Sequence, residues 1–90
     1  MSTVKLFSTS VPSTQKLKGD ISTLKWLLDS KKTPYEEIDL AVDNDRREEM
    51  RAVSNKTTLP QLHINGEAYC DVGQIQEMED NGELRVLLGQ

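Results

Sequence analysis

The chain is short of the residues that enzymatic chemistry most often uses. Its 90 residues hold one cysteine, Cys70, and one histidine, His63. A lone cysteine rules out an internal disulfide and suits a reducing compartment, so a cytoplasmic location is expected. His63 has no cysteine or acidic partner at metal-ligand spacing, so no metal site is expected. Positive charge is also scarce. Lys and Arg number 11 against 15 Asp and Glu, a net charge of −4, which argues against nucleic acid or an anionic membrane as main partner. No apolar run approaches the roughly 20 residues of a membrane span. The opening "MSTVKLFSTS" has no basic region followed by an apolar core, so no secretory signal is expected. Repeats, linkers and low-complexity segments are absent. One domain over residues 1–90 follows, with a thin core and a monomeric state expected.

What is there reads as alternating strands and helices. "TVKLFS" at residues 3–8 is a short strand with Val4 and Leu6 on one face and Phe7 on the other. Leu17, Ile21, Leu24 and Leu28 then recur at spacings of four, three and four, one face of a helix. Ser13 as its cap gives a helix to Ser30, with Gly19 inside at a cost of about 1 kcal/mol. Asp20 as cap gives a shorter one. The longer helix is favoured, because Leu17 lies on the stripe. "KKTP" ends it, with lysines in the last turn. "YEEIDL" (35–40) is a second strand. Asp43 caps a second helix to about Ser54, with Met50 and Val53 as a thin apolar stripe and Asp43–Arg47 as a supporting pair.

The stretch "TTLPQLHING" (57–66) raises a specific question. Proline at a strand entrance removes a ladder donor and is tolerated only at the first residue, an edge or a special turn. Leu62 and Ile64 make the third strand behind it, with His63 on the opposite face. Asn65-Gly66 is a strong hairpin signal, so residues 67–69 return antiparallel. Asp71, with Gln74 three residues on, opens a third helix carrying Ile75 and Met78. Gly82 interrupts it before Leu84, Leu87 and Leu88. The order β-α-β-α-β-β-α-α predicts an α/β three-layer sandwich: a four-stranded mixed sheet with helices on both faces.

The segments "KLFSTSV", "PQL.INGEAYC" and "NGEL" resemble the glutaredoxin branch of the thioredoxin-like fold. Within that branch the chain is similar to the SH3-domain-binding glutamic-acid-rich-like proteins. Asp43, Asn44, Arg46, Glu49 and Met50 match that family's "DN…R.EM", and the hairpin matches its "NG..YC". The resemblance runs from Val4 to about Leu88. It implies that Pro60 is the cis-proline facing the active-site loop, and that Leu59 offers its backbone to a glutathione-like ligand.

The same comparison exposes what is missing. A glutaredoxin carries its thiolate after the first strand, at the N-terminus of the first helix, where the dipole lowers the thiol pKa. Here that loop is "STSVPSTQ", without cysteine. A hydroxyl without a paired base does not replace it. The Gly-Gly pair that accepts the glutathione carboxylate is replaced by Cys70-Asp71-Val72-Gly73, and Asp71 repels an anion. The expectation is therefore a non-catalytic binding or adaptor module with an unidentified protein partner. Its groove would comprise Thr9, Ser10, Ser13, Leu59, Pro60 and Asp71, taking a peptide, or glutathione weakly. The alternative is a weak glutathione-linked redox protein using Cys70, although most free cysteines are structural. Trp26 lies off the apolar stripe and either covers the core edge or serves as a docking residue. The acidic runs at 36–37 and 77–80 read as solvated faces. An SH3 ligand needs two prolines in polyproline II, and only Pro60 is present in this segment, so SH3 binding is not expected.

Overall fold

Strand β1 (Val4–Ser8) is central because both of its faces are apolar enough to bury. The computed structural model describes residues 3–89. The other elements follow as α1 (Gln15–Ser30), β2 (Glu36–Asp39), α2 (Arg47–Ser54), β3 (Gln61–Ile64), β4 (Glu67–Tyr69), α3 (Val72–Asp80) and α4 (Glu83–Leu87). The sheet order is β2-β1-β3-β4. β1 and β2 pair in parallel across the α1 crossover, while β3 is antiparallel to both β1 and β4. This is the mixed four-stranded sheet that the sequence pattern predicts.

The period-two alternation of β1 divides the core. Val4 and Leu6, with Leu62 and Ile64 of β3, pack against Leu24, Leu27 and Leu28 of α1, Ile75 and Met78 of α3, and Leu84 of α4. Phe7 points the other way and packs with Ile38, Leu40 and Met50 under α2. Helices thus cover both faces, and the sheet's apolar residues have no need of solvent on either side. The hairpin turns on Asn65 and Gly66, both at positive φ (53° and 85°), as two-residue hairpin turns require. The Asn65 side chain accepts from the Thr3 N–H at 2.9 Å, tying the turn to the start of β1.

Several local expectations are corrected. Thr14, not Ser13, caps α1: its Oγ1 accepts from the Leu17 N–H at 3.1 Å. Ser13 is one residue too early to reach those amides. The buried stripe is Ile21, Leu24, Leu27 and Leu28; Leu17 is only half-buried, in the first turn before the core begins. The lysines lie beyond the helix rather than in its last turn. Lys31 instead reaches Glu79 of α3 at 2.6 Å, with its side chain only 10 % exposed. Asp43 makes no side-chain cap, and a 3₁₀ turn over Asn44–Arg46 leads into α2. Arg47 bonds to Asn44, not Asp43. Arg46 bridges Glu36 and Glu49 at 3.0 and 2.8 Å. Val53 is 44 % exposed, so Met50 alone anchors α2 from within.

Gly19 lies in the exposed middle of α1, and a Cβ there meets nothing within 4 Å. Glycine costs a helix interior about 1 kcal/mol relative to alanine. Gly19→Ala is therefore expected to stabilise the fold by about 0.5–1 kcal/mol. Urea unfolding checks it, through a raised midpoint at unchanged slope.

Candidate functional site

The loop before β3 enters the sheet through Pro60, which is buried, and the Leu59–Pro60 bond is cis. That is the placement the resemblance implies. Leu59 packs on the Phe7–Met50 cluster, so the segment is fixed from below. Beside it runs a groove of about 430 Å³. Thr58, Leu59 and Pro60 form one wall, Cys70 to Gly73 another, and Lys16 with Asp20 from α1 a third. Leu59, Pro60, Cys70 and Asp71 therefore come together from distant parts of the sequence, because α3 starts where β4 ends, beside the entrance to β3.

The chemistry of the walls is mixed. Asp71 caps α3, its Oδ1 accepting from the Gly73 N–H at 2.8 Å. That bond occupies part of a carboxylate that otherwise faces an incoming ligand. Lys16 is the groove's cation. It pairs with Asp20 at 3.2 Å, yet its side chain is 86 % exposed, so the pair is loose and the ammonium can turn to another anion. Cys70 is half-buried. It also lines an adjoining groove with Ser54, Lys56, Thr58, Ala68 and Gln74.

Thr9, Ser10 and Ser13 are not among the groove-lining residues. Thr9 Oγ1 accepts from the Val11 N–H at 3.1 Å, a local turn. Ser10 donates its N–H to Asp39 Oδ1 at 3.0 Å, at the end of β2. The Ser10 hydroxyl and backbone, with the Ala41 N–H, hold the Asp39 carboxyl below its ordinary pKa. Ser13 is exposed. The hydroxyls of the loop are thus largely absorbed in shaping it. Lys16 and Asp20 line the groove, a role the sequence reading gave to neither. The i,i+4 spacing of Lys16 and Asp20 in the first turns of α1 was the one available signal.

On the far face of the sheet, His63 is 5 % exposed. Its ring lies 4.6 Å from that of Phe7, tilted by 54°. It is packed on the face opposite Leu62 and Ile64, as the strand alternation predicts. Burial, and then the positive charge of Lys5, lower its pKa, with Glu49 opposing. Trp26 is 68 % exposed on the outer side of α1, so it does not cover the core.

The sheet order, the two helical layers and a proline-led β3 facing the start of α1 define a thioredoxin-like protein. More particularly, the chain belongs to the glutaredoxin family, whose model matches residues 22–69. Monothiol glutaredoxin-S11 of Oryza sativa subsp. japonica is 33 % identical over 89 residues, covering 99 % of this chain and 18 % of the rice protein. Glutaredoxin-3 of Homo sapiens is 36 % identical over 62 residues, covering 69 % of this chain and 18 % of the human one. The chain thus spans under a fifth of the length of these curated relatives. Among solved structures, a buckwheat glutaredoxin–glutathione complex superposes with a TM-score of 0.76 at 22 % identity, covering 98 % of this chain and 77 % of that one.

Proposed function

We propose that this chain is a glutaredoxin-fold binding module without thiol catalysis of its own. One observation carries the reading. The segment from Thr9 to Thr14, which leads into α1, offers hydroxyls only, and Thr9 and Thr14 are already bonded to local backbone amides. A glutaredoxin's nucleophile belongs at that helix start. What remains is a groove with a cation at Lys16, a backbone segment at Thr58–Pro60 and anions at Asp20 and Asp71. Such a groove suits an extended peptide with a carboxylate, held by backbone bonds as at a strand edge. Glutathione, named with the buckwheat neighbour, is the natural probe. Asp20 and Asp71 oppose its carboxylates and Lys16 favours them, so binding is weak. We place the chain in the SH3-domain-binding glutamic-acid-rich-like branch, on "KLFSTSV" and "NGEAYC", with a protein partner, a monomeric state and a cytoplasmic setting.

A titration of ¹⁵N-labelled protein with reduced glutathione tests this. Fast-exchange shifts at residues 58–60 and 70–73, with Lys16 and Asp20, are expected at a Kd of about 1 mM, equivalent to roughly −4 kcal/mol. The loop at 9–13 should shift less, since its groups face elsewhere. Uniform absence of shifts at high glutathione would remove the groove as a ligand site. The search would then move to the exposed face of α1, with Trp26 the first residue to substitute.

The half-buried Cys70 lines both grooves. That placement supports the second reading, a weak redox protein acting through this thiol.

A further inference from the structure

We infer that Gln61 and His63 form a buried clasp that positions the Thr58–Pro60 wall of the groove and fixes the histidine as its Nε2–H form. The Gln61 side chain lies on the α2 face of β3 and is wholly buried. Its Nε2 stands 2.8 Å from the Thr58 carbonyl and 3.1 Å from the Lys56 carbonyl. Carbonyls only accept, so the nitrogen end of the amide must face them, and both of its hydrogens are used. The oxygen end is thereby turned toward His63, with Oε1 2.9 Å from Nε2. An amide oxygen cannot donate, so His63 Nε2 must carry the proton. Nδ1 is then the only ring nitrogen that can gain or lose one.

The positions held are the functional ones. Thr58 lines both grooves and precedes Leu59, while Lys56 lines the adjoining groove. The loop at 55–59 lies outside any strand ladder. Besides the Gln61 amide, the loop is held by the Asn55 N–H on the Arg51 carbonyl at 2.8 Å and by Ser54, whose Oγ donates to the Lys56 carbonyl at 3.0 Å and accepts from the Lys56 N–H at 3.1 Å. Phe7 seats the imidazole from β1. Lys5 from β1 and Glu49 from α2 are the charged groups that face it, and they pair with each other at 3.4 Å. Gln61 and His63 act on a ligand only through the loop, and their importance for binding rests on the groove reading above.

Imidazole ¹⁵N spectra of the unmodified protein at neutral pH test the clasp directly. A pyrrole-like Nε2, a pyridine-like Nδ1 and slowly exchanging Gln61 side-chain amide protons are expected. An Nδ1–H tautomer, or a freely exchanging Gln61 amide, would overturn the inference whatever glutathione does. Two variants then separate the two halves of the clasp. Gln61→Glu keeps an acceptor for His63 but has no hydrogens for the loop carbonyls. Gln61→Met keeps the bulk and removes all three bonds, to Thr58, Lys56 and His63. In either, Lys56 amide exchange should quicken by roughly tenfold, the measure of one lost buried hydrogen bond, and amide shifts should concentrate at residues 55–60. Glutathione shifts should weaken with them. Folded variants with this loop unchanged would sink the inference. An unmodified protein that keeps the clasp signatures yet ignores glutathione would support the clasp and overturn the groove reading.

Discussion

Purified protein is expected to reduce a glutathione mixed disulfide no faster than buffer when glutathione and its reductase are supplied. Turnover in such a cycle needs a thiolate that attacks the mixed disulfide, takes up the glutathionyl group and releases the substrate thiolate. A second glutathione then attacks the enzyme's mixed disulfide, releasing oxidised glutathione and regenerating the enzyme thiolate. Rates follow the thiolate fraction of the attacking sulfur and its access. The helix start that would lower a thiol pKa is capped by Thr14 and flanked by Ser13 and Gln15. The one thiol, Cys70, sits across the groove, directly before the Asp71 that caps α3. Cys70 is half-buried and stands away from the start of α1, where a glutaredoxin carries its nucleophile. Cys70→Ser should therefore leave the background rate unchanged. Robust turnover that vanishes in Cys70→Ser would reverse the assignment and make the redox reading the primary one. The rice relative is named a monothiol glutaredoxin, which makes this the most consequential measurement.

The largest change in stability is expected at Phe7. Phe7→Ala should cost about 3–5 kcal/mol, the usual range for truncating a buried aromatic. The total for a domain of this kind is about 5–15 kcal/mol. Phe7 is fully buried in the central strand. It joins Ile38 of β2 and Met50 of α2, the helix's one buried residue, and it seats the His63 ring at 4.6 Å. Its loss leaves the α2 face with a small aliphatic cluster and no ring against the imidazole. The thermal midpoint should fall by at least about 10 °C. Val86→Ala, at a site 75 % exposed, should stay within about 0.5 kcal/mol and serves as control. A loss below about 1 kcal/mol at Phe7 would mean that α2 is held mainly by its surface ion pairs at Arg46 and Glu49.

Element order, sheet type and family were legible in the chain because they rest on local signals. Period-two alternation in "VKLF", the 3.6-residue stripe through Leu24 and Leu28, the Asn65-Gly66 turn and the proline before Gln61 each act within a few residues. The missing thiol is likewise a matter of composition, so the doubt about catalysis stands on sequence alone. The tertiary structure decided which groups meet. Thr9, Ser10 and Ser13 are adjacent to the expected site along the chain, but Ser10 is drawn to Asp39 on β2 and Thr9 to its own loop. Lys16 joins Cys70 and Asp71 only because α1 crosses over the sheet and α3 returns beside it. Gln61 reads in sequence as an ordinary strand residue between Pro60 and Leu62. Its partners, two loop carbonyls and one histidine nitrogen, are fixed by the turn of the loop and the pleat of β3. A hydrogen bond depends on distances of a few tenths of an ångström between groups, and those distances exist only once the layers have packed.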